Sequence, residues 1–163
     1  MKQSLDCSSL QLTTTQRALS EAKTVCQQRG VRLTELRRRV LEIIWNHSSP
    51  LGAYAILEVL RNDGRQGAPP TVYRALDFLL EQGLIHRLAS LNMFTGCRQP
   101  GAHHDGQFLI CQDCGQADEL SSLTVDEALR VEAMAHDFEV LAQTVEVLGR
   151  CPACRNEASR HAN

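Results

Sequence analysis

No run in this 163-residue chain approaches the ~18 apolar residues of a membrane-spanning helix, which excludes a helical membrane protein. The opening MKQSLDCSSLQ lacks the apolar segment of a secretory leader, so a cytoplasmic location is expected. There is no Gly-rich phosphate loop and no nucleophile–base constellation. Those two absences argue against an enzyme, and no membrane and no small organic substrate is expected as a partner. The chain is 43% hydrophobic and 22% charged, within the range of a globular protein of one domain or two small ones.

Cysteine is what the chain has in quantity, with seven residues. In a reducing compartment such clusters serve as metal ligands more often than as disulfides. Cys111 and Cys114 lie in ICQDCG, and Cys151 and Cys154 in RCPACR. Each Cys-x-x-Cys turn offers two thiolates to one ion, and four thiolates satisfy a tetrahedral structural zinc. Cys26 falls on an apolar helical stripe and is read as core. Cys7 is read as part of a disordered tail, residues 1–14.

Charge divides the chain. Residues 1–100 carry a balance of +5 and residues 101–163 a balance of −7. A basic half beside an acidic one suits a polyanion binder joined to a second module. In the basic half, four stretches place apolar residues at helical spacing, for example Leu36, Val40, Ile43 and Ile44. Gly30, SSPLG, GRQGAPP and Gly83 punctuate them. LIHRL and NMFTGC then read as a hairpin, so the half is predicted to be a winged helix, a helix-turn-helix variant.

The fourth helix opens PPTVYRALDFLLEQG, with proline suited to a first turn. Thr71, Tyr73 and Arg74 lie where a recognition helix meets double-stranded DNA, and the run around Arg37 offers a phosphate clamp. In the acidic half, QFLIC and ADEL read as paired strands. Thr124 to Glu127 reads as a capping box, and VLAQTVEVLG as a returning β-branched strand. Ala128, Val131, Met134, Ala135 and Phe138 give the helix between them one apolar face, which favours a homodimer. The fold class is thus α+β: a winged-helix unit at residues 1–97, a hinge at 98–106, and a small α/β dimerisation unit at 107–163, with 155–163 flexible.

PPTVYRALDFLLEQGLIHR, HHDGQFLICQDCG and VEVLGRCPAC together resemble the ferric uptake regulator family of bacterial metal-responsive repressors, and its zinc-uptake branch in particular. The resemblance runs from about Val31 to Cys154. It implies a homodimer that binds an inverted-repeat operator when metal-loaded. The chain departs from the family pattern in three places. LTELR stands where L-T-P-Q-R is frequent, leaving Arg37 as the basic position. Ala68 precedes PPTVYR where a basic residue is frequent, with Arg65 nearby. Gly106 replaces the last histidine of an iron-type H-H-D-H.

A second, regulatory zinc site is expected from His86 in LIHR, Cys97 at the end of the hairpin, His104 in PGAHHDG and Glu119 in ADEL. Two imidazoles, a thiolate and a carboxylate suit zinc, and the thiolate disfavours oxygen-loving metals. His103 competes with His104; the family register favours His104, seven residues before Cys111. Two zinc ions per subunit are therefore expected. Two other readings compete. One is an iron- or peroxide-responsive repressor on the same fold. The other is a Cys-x-x-Cys thiol–disulfide oxidoreductase, disfavoured because such a motif should open a helix.

Overall fold

The computed structural model describes residues 7–64, 68–101 and 106–161, with side chains described from Thr14 to Asn156 within those spans. The chain divides into two compact units, residues 1–101 and 102–163. This boundary falls inside the stretch read as a hinge.

The first unit contains α1 (Cys7–Gln28), α2 (Glu35–Trp45), α3 (Ala53–Asn62) and α4 (Pro69–Glu81). They are followed by the hairpin of β1 (Ile85–Leu88) and β2 (Met93–Gly96). The helical stripes converge on one core. Ala22, Cys26, Val40, Ile43, Ile56, Leu60, Leu76 and Leu79 are all buried. Thr34 caps α2, its hydroxyl accepting from the Arg37 N–H at 3.5 Å. Helix α4 ends in a Schellman arrangement: Gly83 at φ +61° donates to Leu80 and Leu84 N–H donates to Leu79. That reversal delivers the chain into β1.

The hairpin is antiparallel, with His86 opposite Thr95, and Asn92 turns it at φ 51°. Leu51 and Phe94 exchange backbone hydrogen bonds of 2.9 and 2.8 Å, adding a one-residue third rung. That rung was not anticipated, because a single bridging residue has no periodicity to read. Gly96 lies against Trp45: a Cβ there would overlap the indole ring.

The second unit holds a three-stranded sheet in the order β4–β3–β5. Strand β3 (Gly106–Cys111) runs antiparallel to β4 (Ala117–Leu120) and parallel to β5 (Thr144–Gly149). Helix α5 (Leu123–Ala135) makes the crossover that parallel pairing requires. Gln107 is buried, its amide donating to the Ser122 carbonyl at 3.0 Å and to Asp126 at 2.6 Å. Gln143 donates to the same Asp126 oxygen at 2.8 Å, tying β3, α5 and the approach to β5 together.

Four expectations need correction. Helix α1 starts at Cys7, inside the stretch read as a disordered tail. Residues 152–161 form α6 (Pro152–His161), covering most of the stretch read as flexible. A helix one or two turns longer than its apolar stripe carries no sequence signal of its own. The capping box at Thr124 is absent: the N-cap is Ser122, with no side-chain cap bond, because the helix begins one residue before Thr124. Finally, RCPACR opens α6 rather than merely following a strand, since Pro152 at the first position suits a helix start.

Candidate metal centre and nucleic-acid face

The two Cys-x-x-Cys turns come together because β3 and β5 are parallel neighbours that end side by side, with Cys111 paired to Gly149. The first turn follows β3 and the second follows β5. The sulfurs of Cys111, Cys114, Cys151 and Cys154 all lie within 4.8 Å of one another. Cys114 and Cys151 are 3.8 Å apart. Zn–S bonds of about 2.3 Å in a tetrahedron require sulfurs ~3.8 Å apart, so the donor set fits zinc.

Backbone N–H groups also point at this cluster. The Cys151 N–H donates to the Cys111 sulfur at 3.3 Å. That bond, reinforced by N–H groups of Cys114 and Asp113, holds the Cys111 thiol down to about 6. The Cys154 thiol is pushed up, first by its hydrogen bond to Cys151 and then by burial. Arg150 and Asp113, each beside a cysteine of the cluster, form a 3.2 Å ion pair across the two turns.

Within the first unit, His86 and Cys97 form a second donor pair, their ligand atoms within 4.8 Å of one another. His86 is half-buried on β1 and Cys97 is buried just past β2, where its N–H donates to Leu84 at 3.1 Å. Gly96 and Trp45 back that strand end. Glu119 belongs to the second unit, half-buried on β4 opposite Phe108. His104 and its competitor His103 lie outside the described residues.

On α4, Thr71, Tyr73 and Arg74 are exposed while Val72, Ala75 and Leu76 face the core. Arg65 lies outside the described residues. Arg37 does not point freely outward. Its guanidinium carbon is 3.5 Å from the Phe78 ring centroid, and Nη1 donates to the Arg32 carbonyl at 2.7 Å. Arg39 is also engaged, paired with Asp63 at 2.7 Å and Glu42 at 3.0 Å. Tyr54, on the first turn of α3, is 73% exposed and lines a small groove with Pro69 and Tyr73.

The ferric uptake regulator family profile matches residues 28–148. The chain belongs to the ferric uptake regulator family. Among its relatives is the zinc uptake regulation protein of Escherichia coli (strain K12). The two are 39% identical over 156 residues, covering 93% of this chain and 90% of that protein. A solved zinc uptake regulator complexed with zinc and DNA superposes at a TM-score of 0.84 with 36% identity, covering 89% of this chain and 97% of that one. A crystal structure of holo XcZur gives a TM-score of 0.79 with 42% identity, covering 85% of this chain and 96% of that one. The winged-helix unit followed by a small α/β unit is thus the architecture of the family's zinc branch.

Proposed function

We propose that this chain is a zinc-sensing transcriptional repressor that binds operators of zinc-uptake genes as a zinc-loaded homodimer. The observation that carries this reading is the 39% identity, across 93% of the chain, to a zinc uptake regulation protein. It acts by binding rather than by catalysis, and in the cytoplasm where its DNA lies. No helix among the described residues is long and apolar enough to cross a membrane.

The Cys111, Cys114, Cys151 and Cys154 set would hold a structural zinc, which supplies a tetrahedral cross-link between the ends of β3 and β5. Regulation belongs to a second zinc held by His86, Cys97, His104 and Glu119. The closeness of His86 and Cys97 supports it, and the Cys97 thiolate favours zinc over iron. Because its ligands come from both units, filling it would couple them. DNA half-sites have a fixed spacing, so coupling of ~1–3 kcal/mol would change operator affinity about 5- to 150-fold.

Thr71, Tyr73 and Arg74 on α4 would contact the operator, with Arg65 reaching phosphate. Their exposure on the first turns of a helix whose other face is core supports that role. The homodimer would form through the second unit. Val131, Met134, Phe138 and Leu141 are 54%, 78%, 66% and 83% exposed, and part of them lines an apolar groove of about 410 Å³.

The test is operator binding by the full chain at buffered free zinc, with bound metal measured in parallel. Affinity should rise with free zinc as the metal content goes from one ion to two per subunit. A response to Fe²⁺ or peroxide but not to zinc would favour the iron- or peroxide-sensing alternative. The start of α6 at RCPACR is the one feature favouring a thiol–disulfide oxidoreductase. Disulfide reductase activity without tightly held zinc would establish it.

A further inference from the structure

Arg37 is held on three sides. Its backbone N–H is taken by the Thr34 cap at the start of α2. One edge of its guanidinium donates to the Arg32 carbonyl at 2.7 Å. Its flat face lies 3.5 Å from the centre of the Phe78 ring. Phe78 is only 8% exposed, so the ring is shielded from water on its core side while the half-buried guanidinium covers its outer face.

The position of Phe78 on α4 gives this contact its meaning. Thr71, Arg74 and Phe78 follow one another at i, i+3 and i+7, a single stripe along the helix. The upper two are exposed and the lowest lies under Arg37. Val72, Ala75, Leu76 and Leu79 seat α4 on the core, and a contact at the base of the stripe bears on the helix's rotation about its own axis, and so on the direction in which Thr71 and Arg74 project. Gly83 and the Schellman bonds fix the far end of the same helix.

We propose that Arg37 is a positioning residue for the recognition helix rather than a phosphate clamp: it aims the Thr71–Arg74 stripe by stacking on Phe78. The inference rests on the reading of α4 as the groove-binding helix. The two readings of Arg37 differ in measurable ways. A phosphate contact strengthens specific and non-specific DNA binding alike, accepts lysine as a substitute, and contributes about 0.9 to the salt slope. A stacked guanidinium that orients another helix strengthens specific binding alone, is poorly replaced by lysine, and leaves the salt slope unchanged.

The experiment uses full-length zinc-loaded protein, an operator duplex selected by this protein from a random pool, and a scrambled duplex, titrated across a range of KCl. Arg37→Met should weaken operator binding roughly five- to tenfold at every salt concentration. Binding to the scrambled duplex and the salt slope should be unchanged. Arg37→Lys should not restore the loss, and Phe78→Met should cause no further loss when added to Arg37→Met. Equal weakening on both duplexes, a slope shallower by about 0.9, and rescue by lysine would overturn the proposal. So would an Arg37→Met variant that binds like the parent. Zinc content and thermal midpoint measured on each variant separate these outcomes from loss of fold. Arg74→Ala is the control on the underlying reading: if it leaves operator binding intact, α4 is not the groove helix, whatever Arg37 does.

Discussion

In the first unit Ile56, Leu60, Leu76, Leu79 and Leu88 are shut away from water; in the second, no residue of α5 is buried. The first unit is an ordinary small domain, held by apolar side chains from four helices meeting in one core. Among the described residues the second buries the side chains of Phe108, Ile110, Cys111 and Gln107, while Leu123, Met134 and Phe138 face solvent. A unit of that size with so few buried side chains is marginal against the entropy of ordering its backbone. Under the proposed function, its four cysteines would answer that deficit with a metal and its exposed apolar helix with a partner.

This contrast can be broken at several points, and removing the metal should do most. Cys114→Ser, or exhaustive chelation, should unfold the second unit and abolish the dimer, since structural zinc contributes on the order of 10 kcal/mol. Amide exchange in α2 and α4 should remain slow. Equal loss of protection in both units would mean that the first does not stand on its own core.

Acid should act next, and on the second unit first. The Cys111 thiol is held down to about 6 by backbone N–H groups, so its thiolate stabilises the unit above the ordinary thiol range. That contribution fades as pH falls through about 6. The Cys154 thiol is raised and protonates earlier. Zinc must displace these protons, so affinity at the four-thiolate site should drop at least about tenfold per unit from pH 8 to pH 6. Competition against a chromophoric chelator would measure it, and a flat profile would exclude thiolate ligation.

Core deletions sharpen the same comparison. Ile56→Ala, at a fully buried position, should cost about 2–5 kcal/mol in thermal or denaturant unfolding of the first unit. Val131→Ala on exposed α5 should leave that transition unchanged and weaken self-association instead. A smaller loss than at Ile56 is expected at Gly96, where a methyl group meets the Trp45 ring. Gly96→Ala should cost roughly 1–3 kcal/mol. It should also alter the emission of the only tryptophan in the chain and, because Cys97 is the next residue, blunt the zinc response.

Much of this architecture was legible without coordinates. Helical spacing in Leu36, Val40, Ile43 and Ile44 identified α2, and three of those four are buried. The strand pair β3–β4 followed from alternation around ICQDCG, and Gly83 marked the end of α4. The misreadings were local as well. The Thr124 capping box failed because Ser122 starts the helix, and the RCPACR helix was missed because Pro152 was read only as part of a metal turn.

Residue type and spacing alone therefore determined that the chain has a helical basic half and a thiolate-bearing acidic half, since periodicity and Cys-x-x-Cys turns are short-range properties. Tertiary structure decided the matters that depend on partners distant in sequence. Parallel pairing of β3 with β5 brings the two cysteine turns together, and a hydrogen bond across that junction from the Cys151 N–H to the Cys111 sulfur holds that thiol below its usual range. The arginine run that reads as a basic patch is turned to internal use, Arg39 on Asp63 and Arg37 on Phe78. A charge on a helix is visible in the sequence; what neutralises or shields it is set by the surface that folding places opposite.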